Sequence, residues 1–432
     1  MASGTAPLSS ATVAGTPAQT SYRTALVTLT TLFFMWGFLT CLNDVIIPHL
    51  KAVFELNYLE AMLVQFCFFL AYGIMSIPSG FIVRKMGYKR GMMVGLGGAA
   101  LGCLLFYPAA GTRSYPLFLL AFFVLASGIV ILQVSANPYV AVLGPPETAS
   151  SRLTLTQAFN SLATTVAPLF GRNFILSTPV LGAAALAALT PAQLEAYRLS
   201  EAQSVQHPYV GLALALVALA AVIFFAKLPS IQEAAPVGAD ARHGRSAWSH
   251  PHLVLGAVAI FAYVGAEVAI GSLLINYFKV LANMTEQEGA GYLPYYWGGA
   301  MVGRFIGTLT LRKYKPGRVL GVHALVAGIL VLLTVVTHGA VAMWSVIAVG
   351  LFNSIMFPTI FTLAIDGLGT ATEEGSGILC TAIVGGALIP ALQGAMADSL
   401  GLQPSFILPV ICYAYIAWYG VKGSALRRQA AG

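Results

Sequence analysis

The sequence predicts an all-α membrane protein, with twelve transmembrane helices in two six-helix halves. Three observations predict it. Of the 432 residues, 58% are hydrophobic and 9% charged, and the mean hydropathy is +0.82; soluble domains carry about 25% charged residues. Apolar stretches long enough for a bilayer, about 20 residues, recur along nearly the whole chain. Lysine and arginine gather in alternate short loops, as membrane topology demands. The net charge of +7 belongs to those loops, so no nucleic-acid partner is expected.

The elements follow in order. Residues 1–22 open with MASGTAPLSSATVAGTPAQT. They lack the basic start and apolar core of a signal peptide and read as a disordered tail. Six spans run near 25–50, 59–83, 91–110, 116–142, 151–176 and 208–227, making an N-terminal half at 23–227. A polar linker at 228–250 (LPSIQEAAPVGADARHGRSAWSH) separates it from a C-terminal half at 251–432. There the spans run near 251–280, 292–312, 317–338, 341–367, 375–399 and 404–423. Several exceed a straight crossing, so they tilt or bend. Arg23, Arg84, Lys85, Lys89, Arg90, Lys227, Arg242, Arg245, Arg312, Lys313, Lys315, Arg318, Lys422, Arg427 and Arg428 fall on one side. The other side has few cations, Lys51, Arg113, Arg198 and Lys279. The rich side is expected to be cytoplasmic, with both termini inside a cytoplasmic membrane.

The five cysteines (Cys41, Cys67, Cys103, Cys380, Cys412) lie in apolar segments and read as small buried hydrophobes. No CxxC or HExxH spacing occurs, and no metal or cofactor is expected.

The halves look related. ANPYVAVLGP centres on Pro138 and MFPTIFTLAIDGLG on Pro358; TTVAPLFG holds Pro168 and GALIPALQG holds Pro390. Both pairs stand about 220 residues apart, and GFIVRKMGYKRG resembles GTLTLRKYKPGR. A common offset points to a duplicated six-helix unit. Two halves of like orientation are the plan of the major facilitator superfamily. The run G-x-x-x-R-K-x-G-x-K-R resembles that superfamily's loop motif without its acidic residue. Two compatible readings stand for this loop: it sets topology, or Arg84 and Lys85, with Arg304 and Arg312, serve a gate.

Charges at membrane depth are costly, about 2.5–3.5 kcal/mol on insertion scales. Asp44 follows Asn43 in TLFFMWGFLTCLNDVIIPHL, and Glu267 lies mid-span in IFAYVGAEVAIGSLLINYF. Asp44 either snorkels to the outer interface or binds a coupling proton facing a central cavity. Glu267 either pairs with Arg304 or accepts hydrogen bonds from solute hydroxyls, or holds a cation. Gln133, Asn137, Gln157, Asn160, Asn276 and Asn353 add neutral amides. Gln133/Asn137 and Gln157/Asn160 each share a helix face. Amides at this depth are interhelical glue or line a polar pocket; four in adjacent spans beside Asp44 favour the pocket. Such groups suit a sugar, and Trp36, Tyr263, Tyr296, Trp297 and Phe361 could stack on its C–H face.

The segments FFMWGFLTCLNDVIIPHL, LQVSANPYVAVLGP, LTQAFNSLATTVAPLFG, LTPAQLEAYRLSEAQSVQHPYV, YVGAEVAIGSLLINYF, PTIFTLAI and GGALIPALQG resemble the fucose permease-like sugar:proton symporters, specifically their glucose/galactose transporter branch. The resemblance runs from about residue 22 to 422. It implies a proton-coupling aspartate at Asp44 and sugar contacts at Gln133, Gln157 and Asn160. Two positions depart from the permease: Gln133 stands for a glutamate and Glu267 for a glutamine. Animal relatives include sodium-coupled carriers, so proton and sodium both stand as coupling ions. The expected function is import of a neutral hexose by cation symport through alternating access, in a monomer that binds a sugar and the bilayer. The alternatives are a sodium-coupled or passive carrier of another neutral polar solute, and a non-transporting sugar sensor. No enzyme is expected.

Overall fold

The computed structural model describes residues 19–54, 58–170, 189–203, 205–226, 228–229, 246–281, 284–285, 288–289 and 291–428. Of 42–54, 58–62 and a few others it describes the backbone alone. Residues 1–18 of the expected tail and 230–245 of the expected linker lie outside the described residues.

The first five spans are single helices, α1 (Gln19–Phe54), α2 (Tyr58–Met86), α3 (Tyr88–Gly111), α4 (Tyr115–Val142) and α5 (Ala149–Phe170). A short helix, α6 (Pro191–Gln203), precedes the sixth span, α7 (Gln206–Phe225). Then come α8 (Pro251–Leu281), α9 (Leu293–Lys313) and α10 (Pro316–Val336). The last three spans are broken. They comprise α11 (Gly339–Asn353) with α12 (Met356–Ile365), α13 (Thr372–Thr381) with α14 (Gly385–Leu400), and α15 (Leu402–Ser405) with α16 (Ile407–Val421).

The segment between spans five and six, expected as a loop, contains α6. Its start is a capping box: Thr190 N–H and hydroxyl donate to Gln193 Oε1 at 3.0 and 2.9 Å, and Gln193 N–H donates back to Thr190 Oγ1 at 3.4 Å. Thr-Pro-x-Gln carries this signal in sequence.

Ten described segments are long and apolar enough to cross a membrane. The other two spans are α5 and α9, and these two pack on each other across the halves. A helix faced by protein can carry polar residues that lipid would reject. The closest packing is α3 on α4. A Cβ on Gly128 would stand 2.2 Å from the Ala99 nitrogen, and one on Gly102 2.4 Å from that of Leu125. Glycine is required there because the backbones touch.

Three prolines shape the interior. Proline leaves the carbonyl four residues earlier without its helical donor. Pro168 frees Thr164 O, which accepts from Cys41 Sγ at 3.3 Å. Pro138 frees Val134 O, which accepts from Ser376 Oγ at 3.0 Å. Pro358 frees Ser354 O, which accepts from Arg304 Nε at 3.2 Å. Each donor comes from another helix, so the breaks are used to join helices.

The halves meet along α2–α13, α5–α9, α4–α13 and α5–α12. The seam lies toward the end that carries the basic loops. There Ser150 Oγ and Thr362 Oγ1 stand 2.6 Å apart, and Ser151 donates to Thr308 O at 2.7 Å. Gly80 lies against the Glu373 carbonyl, where a Cβ would come within 2.9 Å. Among the described residues, no comparable packing joins α1 to α8.

Candidate functional site

The amides of the N-terminal half lie on α4 and α5, which contact each other and α1. Gln133 on α4 is buried and donates from Nε2 to the Tyr72 hydroxyl on α2 at 2.6 Å. Asn137, one turn on, is fully buried, and neither end of its amide has a hydrogen-bond partner. Such a group costs about 1–3 kcal/mol, so this position tolerates strain that a merely structural amide would avoid. Gln157 on α5 is buried. Asn160 donates to Phe33 O on α1 at 2.9 Å. Gly37 makes that approach possible, because a Cβ there would stand 2.4 Å from Asn160 Nδ2. Trp36 is buried with its ring 4.0 Å from that of Phe33.

In the C-terminal half, Glu267 sits on α8 with one carboxylate oxygen buried and unpartnered. Tyr263 lies buried one turn earlier, beside the carboxylate. Arg304 on α9 is near enough for its charge to act on Glu267. It forms no contact ion pair there, since the structure's described ion pair is Arg113–Glu195. Instead Arg304 donates to Ser354 O and, across the seam, to the Ser161 hydroxyl. Ser161 in turn donates to Gln157 O at 3.2 Å. Arg304, Ser161 and the Gln157 backbone carbonyl therefore form one hydrogen-bonded link crossing between the halves, with Glu267 within reach of the Arg304 charge and Asn160 adjacent to Ser161 on α5.

Other expected residues stand elsewhere. Asn353 is fully buried and matched at both ends: its Nδ2 donates to Tyr296 Oη at 3.0 Å, and Tyr413 Oη donates to its Oδ1 at 2.7 Å. Tyr296 donates onward to the Glu267 carbonyl at 3.2 Å. Both bonds fit the interhelical glue that the sequence left as an alternative for Asn353. Phe361 is fully buried and stacks on Phe357, so in this conformation it offers a solute no face. Asn276 is exposed on the far part of α8. Trp297 is partly exposed and lies against Gly271. Asn43 and Asp44 lie in α1, but their side chains fall outside the described residues.

Of the gate residues, Arg84, Lys85 and Arg312 are exposed at the basic end. Arg84 lies over the Phe81 ring, 5.1 Å from its centroid. Arg304 is the member of that set that bridges the halves among the described residues.

Sequence reasoning missed several residues. Buried Arg152 ends α4 by donating to Val140 O at 3.2 Å, Ala141 O at 2.6 Å and Pro145 O at 2.8 Å. The first two are carbonyls that a helix terminus leaves open. Ser150, Ser151, Ser161 and Ser376 bind across the seam. The signal for Ser150, Ser151 and Ser376 is small polar residues in ASSR and EEGSG at the basic-side starts of two spans.

Residues 24–381 match the Major Facilitator Superfamily. The chain belongs to the Major Facilitator Superfamily. It is a multi-pass membrane transporter and not an enzyme. It is 57% identical over 411 residues to a glucose/galactose transporter of Brucella abortus, covering 95% of this chain and 96% of that protein. It is 36% identical over 405 residues to the L-fucose-proton symporter of Escherichia coli, covering 92% of each. A crystal structure of the superfamily transporter FucP in the outward conformation superposes with a TM-score of 0.86 at 35% identity, covering 93% of this chain and 98% of that one.

Proposed function

We propose that this chain imports a neutral hexose of the glucose/galactose class by proton symport, as a monomer in the cytoplasmic membrane with both termini inside. The observation that carries the reading is the bond from Arg304 to Ser161 across the halves, with Glu267 within reach of the arginine's charge and Gln157 and Asn160 within one turn of Ser161 on α5. It places amides and a carboxylate at the junction of two bundles, where alternating-access carriers hold their solutes. Amides match sugar hydroxyls as both donors and acceptors. The names of the Brucella and Escherichia relatives support the solute class and the proton.

The basic end faces the cytoplasm by its lysines and arginines. The seam is closed at that end, so the described state is shut toward the cytoplasm. Four seam hydrogen bonds at about 0.5–1.5 kcal/mol each amount to a few kcal/mol, a barrier that solute and proton binding can offset. Asp44 takes the coupling proton, whose uptake removes the charge that opposes exposing the site to the other side. Glu267 accepts from the solute.

Counterflow of labelled glucose or galactose into proteoliposomes is the test. Exchange that unlabelled glucose or galactose accelerates supports the reading; no sugar-dependent signal across a panel of hexoses overturns it. Uptake that survives an uncoupler would make the carrier passive.

A further inference from the structure

A cleft of about 420 Å³ opens at the basic end, between the close of α9 and the start of α10. Lys313, Tyr314, Lys315, Arg318, Val319 and Val322 are among the residues that line it. The three cations and Tyr314 are exposed. Among the described residues, no carboxylate pairs with the three cations. Pro316 opens α10 here, so the positive end of that helix adds to the same field.

The corresponding loop of the N-terminal half is used differently. There Lys89 donates to Phe224 O at 2.8 Å and Ala226 O at 2.9 Å, closing the end of α7, and Arg84 lies over Phe81. In the C-terminal half the cations are left without such tasks and instead surround a hollow. Its lining is partly cationic and partly aliphatic. It sits where the apolar span Pro316–Val336 begins, and the end of a bilayer-crossing span is where lipid headgroups are expected.

We propose that this cleft binds the phosphodiester of an anionic phospholipid, held by Lys313, Lys315 and Arg318 with an acyl chain along Val319 and Val322. A zwitterionic lipid brings its own ammonium group and gains less from three cations. A free phosphate ester satisfies the cations but leaves the aliphatic wall uncovered. The site lies apart from the proposed solute site, so lipid there bears on the seam's α9 and not on sugar contacts.

The test is native mass spectrometry of the purified full-length transporter. It is exposed to equal amounts of phosphatidylglycerol and phosphatidylcholine with matched acyl chains. The wild type is expected to retain phosphatidylglycerol preferentially. Each cation near an anionic lipid is worth about fivefold in affinity. Lys313→Gln/Lys315→Gln/Arg318→Gln should bring the two lipids near parity, and Arg318→Gln alone, which serves if the triple variant does not fold, should cut the preference about fivefold. Arg84→Gln/Lys85→Gln should keep it. Equal retention of both lipids by the wild type overturns the proposal. So does an equal loss in the Arg84/Lys85 variant, which would mean diffuse charge attraction. Displacement of the lipid by millimolar glycerol phosphate would assign the site to a soluble phosphate ester and overturn the lipid.

Discussion

At the residue scale, the polar groups divide by whether the fold satisfies them. Asn353 and Gln133 have partners in Tyr296, Tyr413 and Tyr72, whereas Asn137 and one oxygen of Glu267 do not. Buried groups left unmatched are the ones with capacity for a ligand. Gln157→Ala is expected to raise the half-saturation concentration for sugar about tenfold, the worth of roughly one hydrogen bond, with protein abundance unchanged; transport kinetics in vesicles check it. Asp44→Asn is expected to abolish accumulation while leaving counterflow. If accumulation persists, the coupling proton binds elsewhere. Sequence alone made Asn353 and Asn160 equivalent, since both are amides at depth. Only the neighbours Tyr296 and Tyr413 distinguish them, and these lie 57 and 60 residues from Asn353.

At the element scale, prolines and capping residues decide how helices end and join. Ser376 fills the carbonyl that Pro138 frees, and it does so from the opposite half. Ser376→Ala is expected to leave Val134 O unpaired at a cost of about 1–3 kcal/mol, shifting the population toward inner opening. Increased labelling of a cysteine placed on the basic side of the seam reports this, and unchanged labelling would show that the bond does not hold the seam. A second element detail is pH-dependent. Ahead of α9, the Thr285 N–H donates to Glu288 Oε2 at 2.8 Å and the Thr285 hydroxyl at 2.9 Å. These bonds hold the Glu288 carboxyl below its usual range. A depressed carboxyl stabilises the fold above the unfolded value, about 4.3, and that contribution disappears as pH falls through the lower folded value. Amide protection at Glu288, whose N–H donates to Thr285 Oγ1 at 3.2 Å, should therefore fall on acidification through that window. Protection that stays constant down to pH 2 removes this assignment.

At the scale of the whole molecule, the seam and its bonds set what the carrier can do. The halves are held at one end by hydroxyl contacts and one arginine. Under the proposed coupling, one proton would supply about 2.3 kcal/mol per 100 mV, which would support about a 50-fold solute gradient before any pH difference is added. Steady-state accumulation in vesicles at a clamped potential measures it. A plateau near unity at 100 mV would mean that no charge moves with the solute.

The spans, their division into halves and the superfamily plan were legible because hydropathy, proline spacing and loop charge are local properties of the chain. Composition alone shows that a segment such as Pro251–Val280 belongs in a bilayer. The tertiary structure decided which polar groups meet. Arg304 is drawn to Ser354 O, a carbonyl that Pro358 leaves open, and from there extends to Ser161 rather than touching Glu267. The partners of the seam serines and the cation-lined cleft were likewise not readable beforehand, because a hydrogen bond acts over about 3 Å, between residues that sequence position does not pair.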